Sequence, residues 1–233
     1  MQNIITRIKT FCQKNKHLWI LSYFIVYLIW FKYVETSVTS HFHVIHTHLD
    51  DLIPFCEVFV VPYFLWFGYV AWGVTYFALH NKRDFNRLCA FLFTGMTLFL
   101  LISTLYPNGH YLRPTTFERD NIFTRLCAFL YSTDTATNLF PSIHVYNSVG
   151  VHLAVVNSER FGKDKKVKTI SFILMFSIIL STMFIKQHST FDVLTALLLS
   201  AVMYRVVYLR DTVKVTRRAA KRTSSFRDRL PQA

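Results

Sequence analysis

His188 and Asp192 lie four residues apart, a spacing that puts two side chains on one face of a helix. A carboxylate so placed fixes the tautomer of a neighbouring imidazole and stabilises its charged form. A second histidine, His144, closes the run Pro141-Ser142-Ile143-His144, just ahead of an apolar stretch. Proline suits the first turn of a helix, because its missing N–H would have no partner there. Ser142 and His144 are thereby placed at a helix N-terminus, where free N–H groups and the positive dipole end receive anions. Arg113, followed by Pro114, ends a turn-rich run that begins at Tyr106. Two imidazoles, a carboxylate, a guanidinium and a helix N-terminus are what phosphoryl transfer through a phosphohistidine requires. One histidine attacks phosphorus and the other protonates the leaving oxygen. Cations and N–H groups hold the charge that spreads over the phosphoryl oxygens.

The elements that must bring these groups together are apolar helices. The 233 residues are 52% hydrophobic and 17% aromatic, yet the net charge is +13. This composition excludes a disordered chain, a collagen and a disulfide-rich scaffold. Strong positive charge on so apolar a chain points to a membrane protein with uneven loops, not to a nucleic-acid partner. A helix needs about 20 mostly apolar residues to cross a bilayer. Six stretches are candidates: Leu18 to Phe31, Leu52 to Leu79, Leu88 to Leu105, Ile143 to Val156, Thr169 to Ile185 and Val193 to Leu209. The fourth carries His144, Asn147 and His152, so it reads as a helix with a polar face toward other helices or a cavity. The expected fold is an all-α integral membrane protein of six transmembrane helices in one bundle. A long outer loop, Tyr106 to Phe140, joins the third helix to the fourth. Within it Ile122, Phe123, Leu126 and Leu130 recur at helical spacing, which predicts a short amphipathic helix over about 117–131 as a lid on the bundle.

The Lys and Arg residues sort by side. Arg7, Lys9, Lys14 and Lys16 precede the first stretch; Lys82, Arg83 and Arg87 separate the second from the third. Arg160, Lys163, Lys165, Lys166 and Lys168 separate the fourth from the fifth, and eight more follow the sixth from Arg210 onward. The opposite side holds only Lys32, Arg113, Arg119, Arg125 and Lys186. The positive-inside rule then puts both termini in the cytoplasm, which an even number of crossings also requires. Residues 1–17 become a basic cytoplasmic N-terminus, 18–209 the membrane domain and 210–233 a basic cytoplasmic tail touching anionic lipid. No small-residue cleavage site follows the first stretch, so it reads as retained. The chemistry-bearing residues all fall on the extracytoplasmic side.

Pro141-Ser142-Ile143-His144, then Ser181, then His188 and Asp192 with three residues between them, resemble the motifs of the type 2 phosphatidic acid phosphatase superfamily. The pattern there is K-x6-R-P, P-S-x-H and S-R-x5-H-x3-D. The resemblance extends to the six-crossing layout over about 18–209. It implies catalytic His188, His144 and Asp192, with Arg113 and Ser142 holding the substrate phosphate and no metal or other cofactor. Two motif cations are replaced: Tyr106 stands where the first-motif Lys would fall and Thr182 where the third-motif Arg would fall. Lys186, two residues before His188, is the remaining candidate for a phosphate-binding cation. The implied activity is hydrolysis of a lipid phosphate monoester at the outer leaflet of a plasma membrane, a bacterial one by the chain's compactness. One alternative is a transferase moving a phospho-headgroup to a lipid hydroxyl, as in the branch that holds inositol-phosphorylceramide synthases. Another is a non-catalytic transporter or binder of lipid phosphates.

Other residues have duller readings. His152 reads as a packed, hydrogen-bonded helix contact. Glu57 should have a partner or be protonated, with Arg113, Arg125 and Lys186 as candidate partners. The cluster His41, His43, His46, His48, Asp50 and Asp51 fits headgroup-level residues better than a metal site. The four cysteines show no paired spacing.

Overall fold

The computed structural model describes residues 15–37 and 41–209, together with Thr6 and Thr10. The basic N-terminal residues before Asn15, and the basic tail from Arg210 onward, otherwise lie outside the described residues. The described chain is mostly helical. A 3-10 turn, Lys16–Ser22, runs into α1 (Tyr23–Ser37). The short α2 (His48–Leu52) precedes a 3-10 turn, Glu57–Phe59, and α3 (Val60–His80). Then come α4 (Lys82–Leu105), α5 (Ile122–Thr133), α6 (Ile143–Asn157), α7 (Lys165–Phe184) and α8 (Thr190–Tyr204). A π turn, Arg205–Leu209, ends the described chain.

Among the described residues, five helical stretches are long and apolar enough to cross a membrane: Lys16–Ser37, Glu57–His80, Lys82–Leu105, Lys165–Phe184 and Thr190–Leu209. Their outward faces carry exposed Ile25, Leu28, Leu65, Phe67, Ile173 and Leu198, which suits a surrounding hydrocarbon phase. The fourth expected crossing is α6, only 15 residues long. It packs against α3, α4, α7 and α8 and is therefore enclosed by protein. That enclosure explains how it tolerates Asn147, Ser148 and His152. His152 Nδ1 lies 2.9 Å from Ser171 Oγ, which in turn lies 2.6 Å from the Tyr69 hydroxyl, so this histidine is a satisfied helix contact.

Helix starts differ from the apolar runs because polar caps extend them. Asn81 accepts hydrogen bonds from the N–H groups of Arg83 and Asp84, so α4 begins six residues before Leu88. Asp164 caps α7 through the N–H of Val167. The second run is broken: α2 ends at Leu52 because Ile53, next to Pro54, is extended (φ −84, ψ 114).

At two places helices touch without room for a side chain. A Cβ on Gly95 of α4 would sit 2.0 Å from Cε1 of Tyr146 on α6. A Cβ on Gly150 of α6 would sit 2.7 Å from Cδ1 of Phe91 on α4. Small residues that let helix backbones approach are the usual device of bundles in lipid.

The segment between α4 and α6 forms a knitted cap. β1 (His43–Val44) pairs in parallel with β2 (Asn108–Gly109), and His110 N–H donates to the Ala136 carbonyl at 3.1 Å. Asn108 Oδ1 accepts the N–H groups of Leu139 and Phe140 at 2.9 and 3.0 Å. The expected lid helix is α5. It is capped by Asn121 and docks Cys127 and Leu130 on Val60, Tyr63 and Ile185. Glu57 pairs with none of its expected partners. Its carboxylate accepts from Asn121 Nδ2 at 3.0 Å and Arg119 Nη1 at 3.5 Å, because α5 starts directly over it.

Candidate active site

His188 lies in the turn between α7 and α8. The N–H groups of Gln187 and His188 both donate to the Thr182 carbonyl, at 2.9 and 3.0 Å, which ends α7 and turns the chain. Ser189 then caps α8, with Asp192 as the reciprocal member of the capping box: the Ser189 N–H donates to Asp192 Oδ2 at 3.0 Å. The four-residue spacing carries the Asp192 carboxylate back under the His188 ring, Oδ2 lying 3.5 Å from Nδ1. His144 reaches the same point from the first turn of α6. That helix is tied to α8 by the Ser142 N–H donating to the Asp192 carbonyl at 3.3 Å.

The result is a line of four groups. The Tyr63 hydroxyl is 2.9 Å from His144 Nε2, and His144 Nδ1 is 3.1 Å from His188 Nε2. Asp192 follows at the far nitrogen of His188. One proton arrangement satisfies every contact: Tyr63 donates to His144, His144 Nδ1–H donates to His188 Nε2, and His188 Nδ1–H faces Asp192. In that arrangement His188 Nε2 carries the lone pair. Trp66 and Tyr63 pack on the His144 ring, with centroids 4.4 and 4.7 Å away.

His188 and Asp192 are buried, and His188 Nδ1 and Asp192 Oδ1 have no hydrogen-bond partner among the described residues. The same holds for Arg113 Nε and Gln187 Nε2. Buried polar atoms are nearly always satisfied in folded proteins, so such a cluster marks a place for water or a ligand.

Arg113 is held by protein groups. Its Nη1 donates to the Asp134 carbonyl at 2.6 Å, and its Nη2 donates to the Thr135 carbonyl at 2.9 Å and to Gln187 Oε1. The guanidinium also lies 4.8 Å over the Tyr131 ring. Its Nε–H has no hydrogen-bond partner among the described residues. Ser142 is buried and its Oγ caps α6, accepting the Val145 N–H at 3.4 Å. Lys186 points elsewhere: Nζ donates to the carbonyls of Asp50 and Ile53, at 2.7 and 2.5 Å. The structure thus unites His144, His188 and Asp192, keeps Arg113 and Ser142 beside them, and turns Lys186 away. Beside Pro114 an open cavity of about 530 Å³, lined by Phe55, Glu57, Phe117 and Arg119 among others, lies under the start of α5.

Tyr63, His110 and Gln187 also belong here, and the sequence reading missed them. Tyr63 is one of 12 tyrosines and carries no pattern of its own. Gln187 had one signal, its position next to His188. His110 accepts the Leu112 N–H on Nδ1 at 3.2 Å, so Nε2 bears the proton and donates to the Gln187 carbonyl at 3.0 Å. It fixes the backbone next to His188. In the histidine cluster, His46 and His48 face Asp51 at 2.8 and 4.0 Å, while His43 stacks on Tyr106.

The chain matches no protein-family model, no curated protein and no solved structure.

Burial lowers His188 from the ordinary 6.5 to about 3, the Arg113 charge adds to this, and the Leu139 carbonyl opposes it. Burial likewise lowers His110 to about 4, against the pull of the Gln187 carbonyl. Both rings are neutral at pH 7. At these two sites the unfolded chain binds more protons between about 3 and 6.5, whereas Asp134, raised by burial to about 6, binds more in the folded chain. The histidines' own contribution to stability is therefore full above pH 6.5 and is lost as pH falls through that window. His110→Gln removes one of these titrations, so its melting midpoint in detergent should fall less between pH 7.5 and pH 5 than that of wild type. Equal falls in the two proteins would contradict the burial of His110.

Proposed function

We propose that the chain is a membrane lipid phosphatase that works through a phosphohistidine on His188. In this reading it is a divergent relative of the type 2 phosphatidic acid phosphatase superfamily. It crosses the membrane six times, with α6 as the fourth crossing, both termini cytoplasmic and the site facing the extracytoplasmic side of a plasma membrane. The observation that carries the reading is the 3.1 Å His144–His188 pair backed by Asp192 at 3.5 Å.

The substrate phosphate separates the two imidazoles and enters between them. A phosphate anion beside His144 favours its charged form. His188 Nε2 attacks phosphorus as the phosphorus–ester oxygen bond breaks, and His144 gives its proton to the departing alcohol oxygen. Asp192 stabilises the positive charge that the His188 ring acquires. Neutral His144 next takes a proton from water, whose oxygen attacks phosphorus. The phosphorus–nitrogen bond breaks, inorganic phosphate leaves and both rings return to their starting state. The Tyr63 hydroxyl can donate to His144 Nε2 or accept from it, so it serves both forms of the ring. Arg113 Nε–H, the Gln187 amide and the first N–H groups of α6 face the phosphoryl oxygens.

A second reading, transfer of a phospho-headgroup to a lipid hydroxyl, is favoured by the orientation of Lys186. With that ammonium on backbone carbonyls, the described part of the site suits a phosphodiester, which carries one charge fewer than a monoester. Purified protein in vesicles, offered labelled phosphatidic acid and labelled phosphodiester lipids with and without diacylglycerol or ceramide, separates the two. Label in water supports hydrolysis and label on a new lipid supports transfer. Label that stays on every donor would sink both.

A further inference from the structure

Asp50 was read from the sequence only as part of a histidine-rich cluster. The structure buries it and gives its carboxylate four donors. Oδ2 accepts the Thr47 N–H at 2.8 Å and the Ser189 hydroxyl at 2.6 Å. Oδ1 accepts the Thr190 N–H at 2.7 Å and the Thr190 hydroxyl at 2.8 Å. Ser189 and Thr190 are the two residues after His188. From the other side, the Lys186 ammonium donates to the Asp50 and Ile53 carbonyls. Lys186 itself has φ of 52, a left-handed conformation that non-glycine residues rarely adopt. The residues flanking His188 are therefore tied on both sides to one short element more than 130 positions earlier in the chain.

We propose that Asp50 and Lys186 form a brace that positions His188, with Asp50 fixing the start of α8 and Lys186 fixing the turn before the histidine. The kinetic consequence rests on the phosphohistidine reading. An attacking nitrogen has to be held to within about 0.5 Å of its productive place. Among the described residues His188 is held by the Thr182 carbonyl on its N–H and by His144, Asp192 and the Leu139 carbonyl at its ring, so the turn's geometry helps to set where Nε2 points. The Asp50 carboxylate is charged across the working pH range. Burial would raise Asp50, but its donors outweigh that and hold it at about 2. Lys186 is lowered by burial, while Asp50 and Asp51 oppose the shift. This gives Lys186 a role other than phosphate binding, and the two roles differ in what they do to KM.

The test uses the full chain as Asp50→Asn, Lys186→Met and Lys186→Arg, beside wild type and His188→Ala. Amide hydrogen exchange over residues 184–192 reads the brace directly. It should quicken by about tenfold or more in Asp50→Asn and Lys186→Met, with α4 and α6 unchanged. Phosphate release should show kcat lower by about 10- to 100-fold with KM within about twofold, the cost of misplacing a reacting group. Lys186→Arg keeps a cation that can reach two carbonyls and should restore both readouts. Unchanged exchange in Asp50→Asn overturns the brace. Faster exchange with unchanged kcat overturns the positioning role. A raised KM with unchanged kcat in Lys186→Met makes that lysine a substrate-binding group instead. If wild type cleaves no phosphate ester, the phosphohistidine reading and the positioning role fall together, and exchange alone decides the brace.

Discussion

His188→Ala is expected to lower phosphate release by about a thousandfold or more, the scale of removing a group that reacts covalently. The loss should fall on kcat, because the Arg113 Nε–H and the α6 N-terminus still receive the phosphate. With labelled substrate, wild type quenched in alkali should carry acid-labile label on the chain, and His188→Ala should carry none. His144→Ala should differ in kind. It keeps the attacking nitrogen, so a substrate with a good leaving group, which needs no proton, should still label His188. Full activity in His188→Ala would remove the site from consideration.

Gly95→Ala is expected to destabilise the bundle by about 1–3 kcal/mol, the usual cost of overpacking a core. Alanine ordinarily favours a helix over glycine by roughly 0.5–1 kcal/mol, so the sign itself is informative. The added Cβ meets the Tyr146 ring, with three of its carbons at 2.0 to 2.5 Å. That ring cannot step aside. It stacks on Phe91 at 4.6 Å, and its hydroxyl donates to the Phe91 carbonyl at 2.8 Å. Tyr146 is two residues after His144, so catalysis should decline with stability. Gly68→Ala is the matched control, since nothing lies within 4 Å of its would-be Cβ. It should be neutral or stabilising in the same detergent melt. Equal melts for the two variants would mean that α4 and α6 do not meet as described.

The helical, membrane-suited character of the chain was legible because apolar runs report directly on burial in lipid. His188 and Asp192 were legible as a pair because helix spacing places side chains locally, whereas His144, 44 residues away, was joined to them by the motif resemblance. The breaks were harder. The chain stops at Leu52 because of Pro54, yet the surrounding run looks continuous by hydropathy. The direction of Lys186 was hidden for a different reason. Charge and proximity in sequence made it a phosphate ligand, whereas its direction is set by a left-handed turn and by carbonyls of α2, a contact across more than 130 residues. Asp50, Tyr63 and His110 were invisible for the same cause: each acts through a partner far along the chain. Glu57 shows the milder case, with the right need for a partner and the wrong cation named, because the register of α5 decides which arginine arrives.

The length of α6 bears on where the reaction occurs. At about 1.5 Å per residue, a helix this short rises roughly 22 Å, against about 30 Å of hydrocarbon in an ordinary bilayer. If α6 is a crossing, its two ends do not both reach the headgroups. If the end that falls short is the first turn, His144 there and His188 beside it sit several ångströms below the plane where lipid phosphates rest. A substrate would have to sink or tilt to present its phosphorus, or the surrounding leaflet would have to thin to meet the protein. Such a recess keeps bulk water off the nucleophile until a lipid has filled it. It also makes membrane thickness a variable of the proposed reaction, so bilayers of shorter acyl chains should bring substrate and His188 to the same depth.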